Sequence, residues 1–193
     1  MELRQSQIRI AAAVCLATVW LRAGIPAQSQ GRKVEAKGPQ AMSFPLTVKG
    51  FENGGTIPKA NTCDGGEQAP ALEWSGEPSG TQAFALILDD PDAPAGTWNH
   101  WLLWDIPAHV HSLPAGFTPG TVGASGKNDF GKPGYGGPCP PKGHGPHRYN
   151  FTLYAVDRAA LGLPPGANCS DLDRALKGRV LGQAQYMGRY ERR

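Results

Sequence analysis

Three short segments hold most of the side chains that could do chemistry. The first is Asp89-Asp90-Pro91-Asp92-Ala93-Pro94, three carboxylates in a stretch whose prolines fix the backbone and so aim the acids in defined directions. The second is Trp98-Asn99-His100-Trp101, an imidazole between two indoles. The third runs from Gly136 through Pro138, Cys139, Pro140, Pro141, His144 and His147 to Tyr149. Its glycines let a ligand approach backbone N–H groups, and its prolines stiffen a wall. His147 and Tyr149 are two apart, so in a strand both project to one face. Carboxylate, imidazole and phenol together suit acid–base chemistry, or the recognition of a small anion by hydrogen-bond donors.

Other chemistries fit less well. Gly123-Ala124-Ser125-Gly126-Lys127 is no phosphate-binding P-loop, because Asn128 stands where Ser or Thr is required. There is no G-x-S-x-G nucleophile elbow. Cys139, His144 and His147 lack metal-ligand spacing, so no metal and no cofactor is expected. A Cys139–His147 nucleophile pair carries as little weight.

These segments need a scaffold. Turn-bounded apolar or alternating runs predict strands at 44–49, 71–75, 83–89, 101–106 and 148–156. Asp157 to Leu161 reads as one helical turn. A helix capped by Asn168 or Ser170 carries Leu172, Ala175 and Leu176 on one face and ends at Gly178. A last strand covers Val180 to Tyr190. Gly 26 and Pro 18 argue against a helical protein, and the pattern predicts a mainly β fold, an antiparallel Greek-key sandwich with one or two short helices. Between 114 and 146, ten Gly and seven Pro occupy 17 of 33 positions, a long connection of the kind that is usually functional or disordered.

Residues 1–27 read as a signal peptide: Arg4 and Arg9 precede a 12-residue apolar run from Ile10 to Leu21, with a cut expected after Ala27. The run is too short for a membrane span, which needs ~20 residues. An uncleaved N-terminal anchor is the other reading. Residues 28–43 read as a flexible leader and 44–193 as the folded domain. Removal of 1–27 takes Arg4, Arg9 and Arg22 from 19 basic residues and Glu2 from 16 acidic ones, so +3 becomes +1. Nothing in that charge suggests nucleic acid. Export to the periplasm or medium is expected, with no stable membrane insertion after cleavage. Cys63, Cys139 and Cys169 remain; an oxidising compartment allows one bridge and leaves one thiol over. The Gly/Pro-rich flanks favour Cys63 with Cys139, although sequence alone leaves the pairing open.

In order and spacing, Asp90-Pro91-Asp92-Ala93-Pro94, Trp98-x-His100 and Gly137-Pro138-x-Pro140-Pro141 through His147-Arg148-Tyr149 resemble the phosphatidylethanolamine-binding protein family. Thr62-Cys63-Asp64-Gly65 and Gly188-Arg189-Tyr190-Glu191-Arg192 are similar to its bacterial, Raf-kinase-inhibitor-like branch. The resemblance spans roughly 44–191. It implies a Greek-key β-sandwich with a small surface pocket for phosphate, phosphorylated head groups or similar anions. Asp90, His100, His147 and Tyr149 would form that pocket, Pro94, Trp98 and Pro141 would shape its wall, and 136–139 would add backbone donors. It implies a non-enzymatic binding protein, open to a protein partner that it regulates or inhibits and to a homodimer. Kinase inhibition and membrane-lipid binding do not transfer with it. The alternative is an acid–base hydrolase of phosphoesters using Asp90, His100 and His147. Asp90 is expected to raise the proton affinity of a neighbouring imidazole, so anion binding would strengthen as pH falls toward ~6.5.

Overall fold

The computed structural model describes residues 42–193. The expected signal peptide and all but the last two residues of the expected leader lie outside them. Those two residues, Met42–Ser43, form strand β1, so regular structure begins earlier than the Phe44 expected from sequence. Then come β2 (Leu46–Val48), a 3-10 turn (Lys59–Asn61), β3 (Leu72–Trp74), β4 (Ala83–Asp90) and β5 (Trp98–Pro107). The short strands β6 (Ser112–Leu113) and β7 (Ala124–Ser125) follow, then β8 (His147–Val156), helix α1 (Cys169–Leu176) and β9 (Val180–Tyr190).

Six strands form one sheet in the order β1-β9-β8-β4-β5-β7, and three form a second in the order β2-β3-β6. The mainly β, largely antiparallel sandwich is as expected. One pairing departs from it: β1 runs parallel to β9, with Met42 opposite Gly182. A Cβ on Gly182 would meet the Met42 carbonyl oxygen at 2.7 Å, so only glycine lets the strand in at that point.

The large sheet is buried on both faces, which is why Ala83 to Leu88 is an unbroken apolar run. Phe84, Leu86 and Leu88 face the small sheet and pack in the main core with Leu72, Trp74, Trp101 and Phe151. Ala83, Ala85 and Ile87 face the other way, under Leu172 and Leu176 of α1. Asn168 caps α1 by accepting the Asp171 N–H, while the Asp171 carboxylate accepts the Asn168 N–H.

Other departures have local causes. Asp157 to Leu161 forms no helix, because the Asp105 carboxylate accepts the Leu161 N–H at 2.8 Å and holds the segment against β5. The strands β6 and β7 are two residues each, too short to leave a periodicity in sequence. In β9, Gly188 lies opposite Tyr149, and a Cβ there would overlap Ile57 and Phe51 beneath the sheet. Gly188→Ala should therefore destabilise the protein by about 1–3 kcal/mol, read as a lower urea midpoint at unchanged slope.

Candidate functional site

The end of β4 and the beginnings of β5 and β8 meet at one edge of the large sheet. Asp90 closes β4, His100 lies near the start of β5, and His147 opens β8. The β4–β5 register passes from Leu88 opposite Trp101 to Asp89 opposite Asn99, so His100 is an extra residue with no partner across the ladder. A bulge of this kind re-aims a side chain. Here it turns the imidazole toward Asp90 and His147.

All three side chains are buried. The Asp90 carboxylate accepts from His147 Nδ1–H at 2.8 Å and from the Asp92 N–H at 2.9 Å. Both carboxylate oxygens are thus engaged within the protein. His100 Nδ1 lies 2.9 Å from the Gly136 carbonyl oxygen, which can only accept, so the proton is on Nδ1 and Nε2 is left for the cavity. Burial pushes the His100 pKa below the usual histidine value, against the opposing pull of Asp90 and Asp129. Asp90 does pull the His100 proton affinity up, as expected, but desolvation outweighs that pull.

Asp92 works outside the cavity. Its carboxylate takes a forked pair from Arg148, at 2.9 Å from Nε and 2.6 Å from the terminal nitrogen, and also the Arg148 N–H at 2.9 Å. Those bonds hold the Asp92 pKa down at about 2 and tie the acidic turn to β8.

A cavity of about 320 Å³ opens over these groups, at the small end of ligand pockets. Six of the residues expected at a ligand line it: Asp90, Pro94, Trp98, His100, Pro141 and His147. Tyr149 does not. It is fully buried, its ring edge-on to His100 with centroids 5.2 Å apart, so it supports the imidazole from behind. Burial and the nearby Asp90 carboxylate push its phenol well above the ordinary tyrosine range.

The Gly136 N–H is spent on the His100 carbonyl, Pro138 has none, and only Cys139 of residues 136–139 reaches the cavity. Cys139 forms one cavity wall with Pro140 and Pro141. That wall is tied down by a Cys63–Cys139 disulfide, by Cys63 N–H donating to the Pro138 carbonyl, and by Tyr135 Oη donating to the Asn61 carbonyl at 2.6 Å. With Cys139 bonded, a Cys139–His147 nucleophile pair is not formed. Among the described residues Cys169 is the free cysteine, its thiol pushed up to about 12 by burial and by Asp173.

Sequence reasoning missed Phe130, which completes the opposite wall edge-on to both Trp98 and His100. Its placement depends on the buried Asn128. The Asn128 amide donates to the carbonyls of His100 and Gly134, and its carbonyl accepts the N–H groups of Phe130 and Lys132. Asp129 adds bonds to the N–H and the amide of Asn99. A lone Asn-Asp pair in a loop is an ordinary turn signal, so only its burial distinguishes it.

Against this geometry stand the comparisons with known proteins. Residues 47–191 match the family model described as phosphatidylethanolamine-binding protein. The chain belongs to the phosphatidylethanolamine-binding protein family. It is 48% identical over 147 residues to a UPF0098 protein of Aquifex aeolicus, covering 75% of this chain and 86% of the relative. It is 41% identical over 160 residues to LppC of Mycobacterium tuberculosis, whose name includes the word lipoprotein, covering 82% and 78%. The crystal structure of Escherichia coli YbcL, described as a new member of the mammalian PEBP family, superposes with a TM-score of 0.73 at 33% identity, over 78% of this chain and 99% of that one. Membership of the family makes this a binding protein of that type, with the fold that carries it.

The disulfide is the covalent tie of the cavity wall and closes a long loop, with a sequence separation of 76. Chain-entropy reasoning sets its contribution at up to about 4 kcal/mol. A Cys63→Ser/Cys139→Ser variant should lose up to that amount in urea denaturation, and reductant should lower the stability of the native protein but not of the variant.

Proposed function

We propose that the cavity is a receptor for a small oxyanion of the phosphate or phosphoryl type, either free or carried on a larger molecule. One observation carries the reading. Both oxygens of Asp90 are held by protein donors, so the only formal negative charge lining the cavity is turned inward, while imidazoles from two separate strands, His100 and His147, line it. The apolar wall of Pro94, Trp98, Phe130 and Pro141 lowers the local dielectric and strengthens each polar contact on the floor.

No lysine or arginine lines the cavity, and Arg148 is committed to Asp92. A neutral His100 offers its Nε2 as an acceptor, which needs a proton on the ligand. The favoured ligand form is therefore a protonated monoanion. A phosphomonoester loses that proton near pH 6. Affinity is highest below this value, where the ligand supplies the hydrogen, and falls as pH rises through it. More acidic conditions act in the same direction by charging His100. The direction is that expected from sequence, but its cause is the ligand's proton with a neutral imidazole rather than a raised histidine pKa.

Export supports a role outside the cytoplasm. The basic-then-apolar N-terminus and the likeness to LppC both favour it, and the engaged Cys63–Cys139 pair suits an oxidising compartment. A protein that carries a phosphoryl or carboxyl group at its surface fits the same receptor, which is how a regulatory or inhibitory partner would engage.

Phosphate titration by NMR or calorimetry tests the assignment. His100→Ala/His147→Ala should weaken binding at least tenfold, and unchanged affinity in this double variant would remove the cavity from consideration. Native protein should bind phenyl phosphate more tightly at pH 5.5 than at pH 7.5. A flat pH profile would contradict the protonated-ligand account, and phosphoester turnover abolished by His147→Ala would favour a hydrolase instead.

A further inference from the structure

His144 has no part in the site as described, yet it touches the site's central histidine. Its Nδ1 lies 2.8 Å from His147 Nε2, with ring centroids 5.0 Å apart. His147 Nδ1 must carry a proton, because the Asp90 carboxylate on that side can only accept. Nε2 is consequently the one ring atom through which His147 can meet a ligand, and His144 occupies it.

We propose that His144 is an internal cap on His147, and that a ligand gains the His147 contact only by displacing it. The inference rests on the oxyanion reading of the cavity. Its physical basis is the contrast between the two histidines. His147 is held at 2% exposure between strands, whereas His144 is exposed.

The backbone around His144 keeps the cap in place without trapping it. Gly143 and Gly145 both have positive φ, at 73° and 85°, and a Cβ on either would meet nothing within 4 Å. The turn is closed by His144 N–H donating to the Pro141 carbonyl at 3.2 Å and by Gly143 N–H donating to the Arg192 carbonyl at 3.0 Å. Pro146 then fixes the return into β8. Displacement therefore asks only for rotation of an exposed side chain, which exchanges one hydrogen bond for bonds to water. The cap sets a threshold: a group that makes a weaker bond to Nε2 than an imidazole does leaves His144 where it is.

The test is a titration of histidine-labelled protein with inorganic phosphate, followed by imidazole nitrogen NMR. In the native protein, phosphate should release His144 Nδ1 to its solvent-exposed shift while perturbing His147 Nε2. His144→Ala should bind phosphate about three- to tenfold more tightly, the factor carried by one ordinary hydrogen bond. His144→Asn, which keeps a polar group near the position of Nδ1, should bind as the native protein does. Unchanged or weaker binding by His144→Ala would overturn the cap, weaker binding marking His144 as a ligand contact. If native protein binds no phosphate, the oxyanion reading fails separately. The cap is then judged in ligand-free protein: His144→Ala must shift the His147 Nε2 resonance, and an unmoved resonance refutes it.

Discussion

A buried hydrogen bond between a carboxylate and an imidazole organises this molecule's functional end. Asp90 lies at the last position of β4 and His147 at the first of β8, and these adjacent antiparallel strands bring the two together. A buried carboxylate without partners is costly, and so is a buried imidazole. Each satisfies the other only when the strand ends are in register and the turn after Asp90 delivers the Asp92 N–H to the second oxygen. The Asp92–Arg148 fork fastens that turn from outside, so the carboxylate is held on both sides of the sheet edge.

The second constraint is the bulge at His100. A regular ladder would give Asn99 and His100 a partner each, and the alternation of β5 would carry the imidazole with it. The extra residue releases His100 to the cavity, while its backbone stays bonded: its carbonyl accepts from Gly136 N–H and from the Asn128 amide. The loop from Lys127 to Pro141 is consequently a built wall, folded back on β5 at its start and clamped to the 59–65 region by Cys63–Cys139 at its end. Its many glycines permit close approach. A Cβ at Gly137 would come within 2.9 Å of the Asn61 carbonyl oxygen.

Much of this was legible in the residues. The strands centred on Ala83–Asp90, Trp98–Pro107, His147–Val156 and Val180–Tyr190 announce themselves by apolar runs or alternation, and the Asn168 cap by its chemistry. Six cavity residues were found because acids, histidines and prolines in fixed order leave a recognisable pattern. Phe130 and His144 were missed as cavity wall and as partner of His147, since a phenylalanine or histidine in a Gly/Pro-rich loop has no periodicity to betray its direction. Tyr149 shares a face of β8 with His147, but that spacing is silent about depth, and the ring stands buried behind His100.

Hydrophobic period, caps and proline-fixed turns act over a few residues, so the mainly β fold, the helix and the set of groups available for chemistry were all readable along the chain. Tertiary contacts alone set which nitrogen of each histidine carries the proton, which charge is turned inward and which residue supports rather than lines the cavity. Those properties depend on partners 30 to 60 positions away: Gly136 for His100, Asp90 for His147, Asp129 for Asn99. Hydrogen-bond direction and desolvation are set by what surrounds a group in space, and no local pattern encodes them.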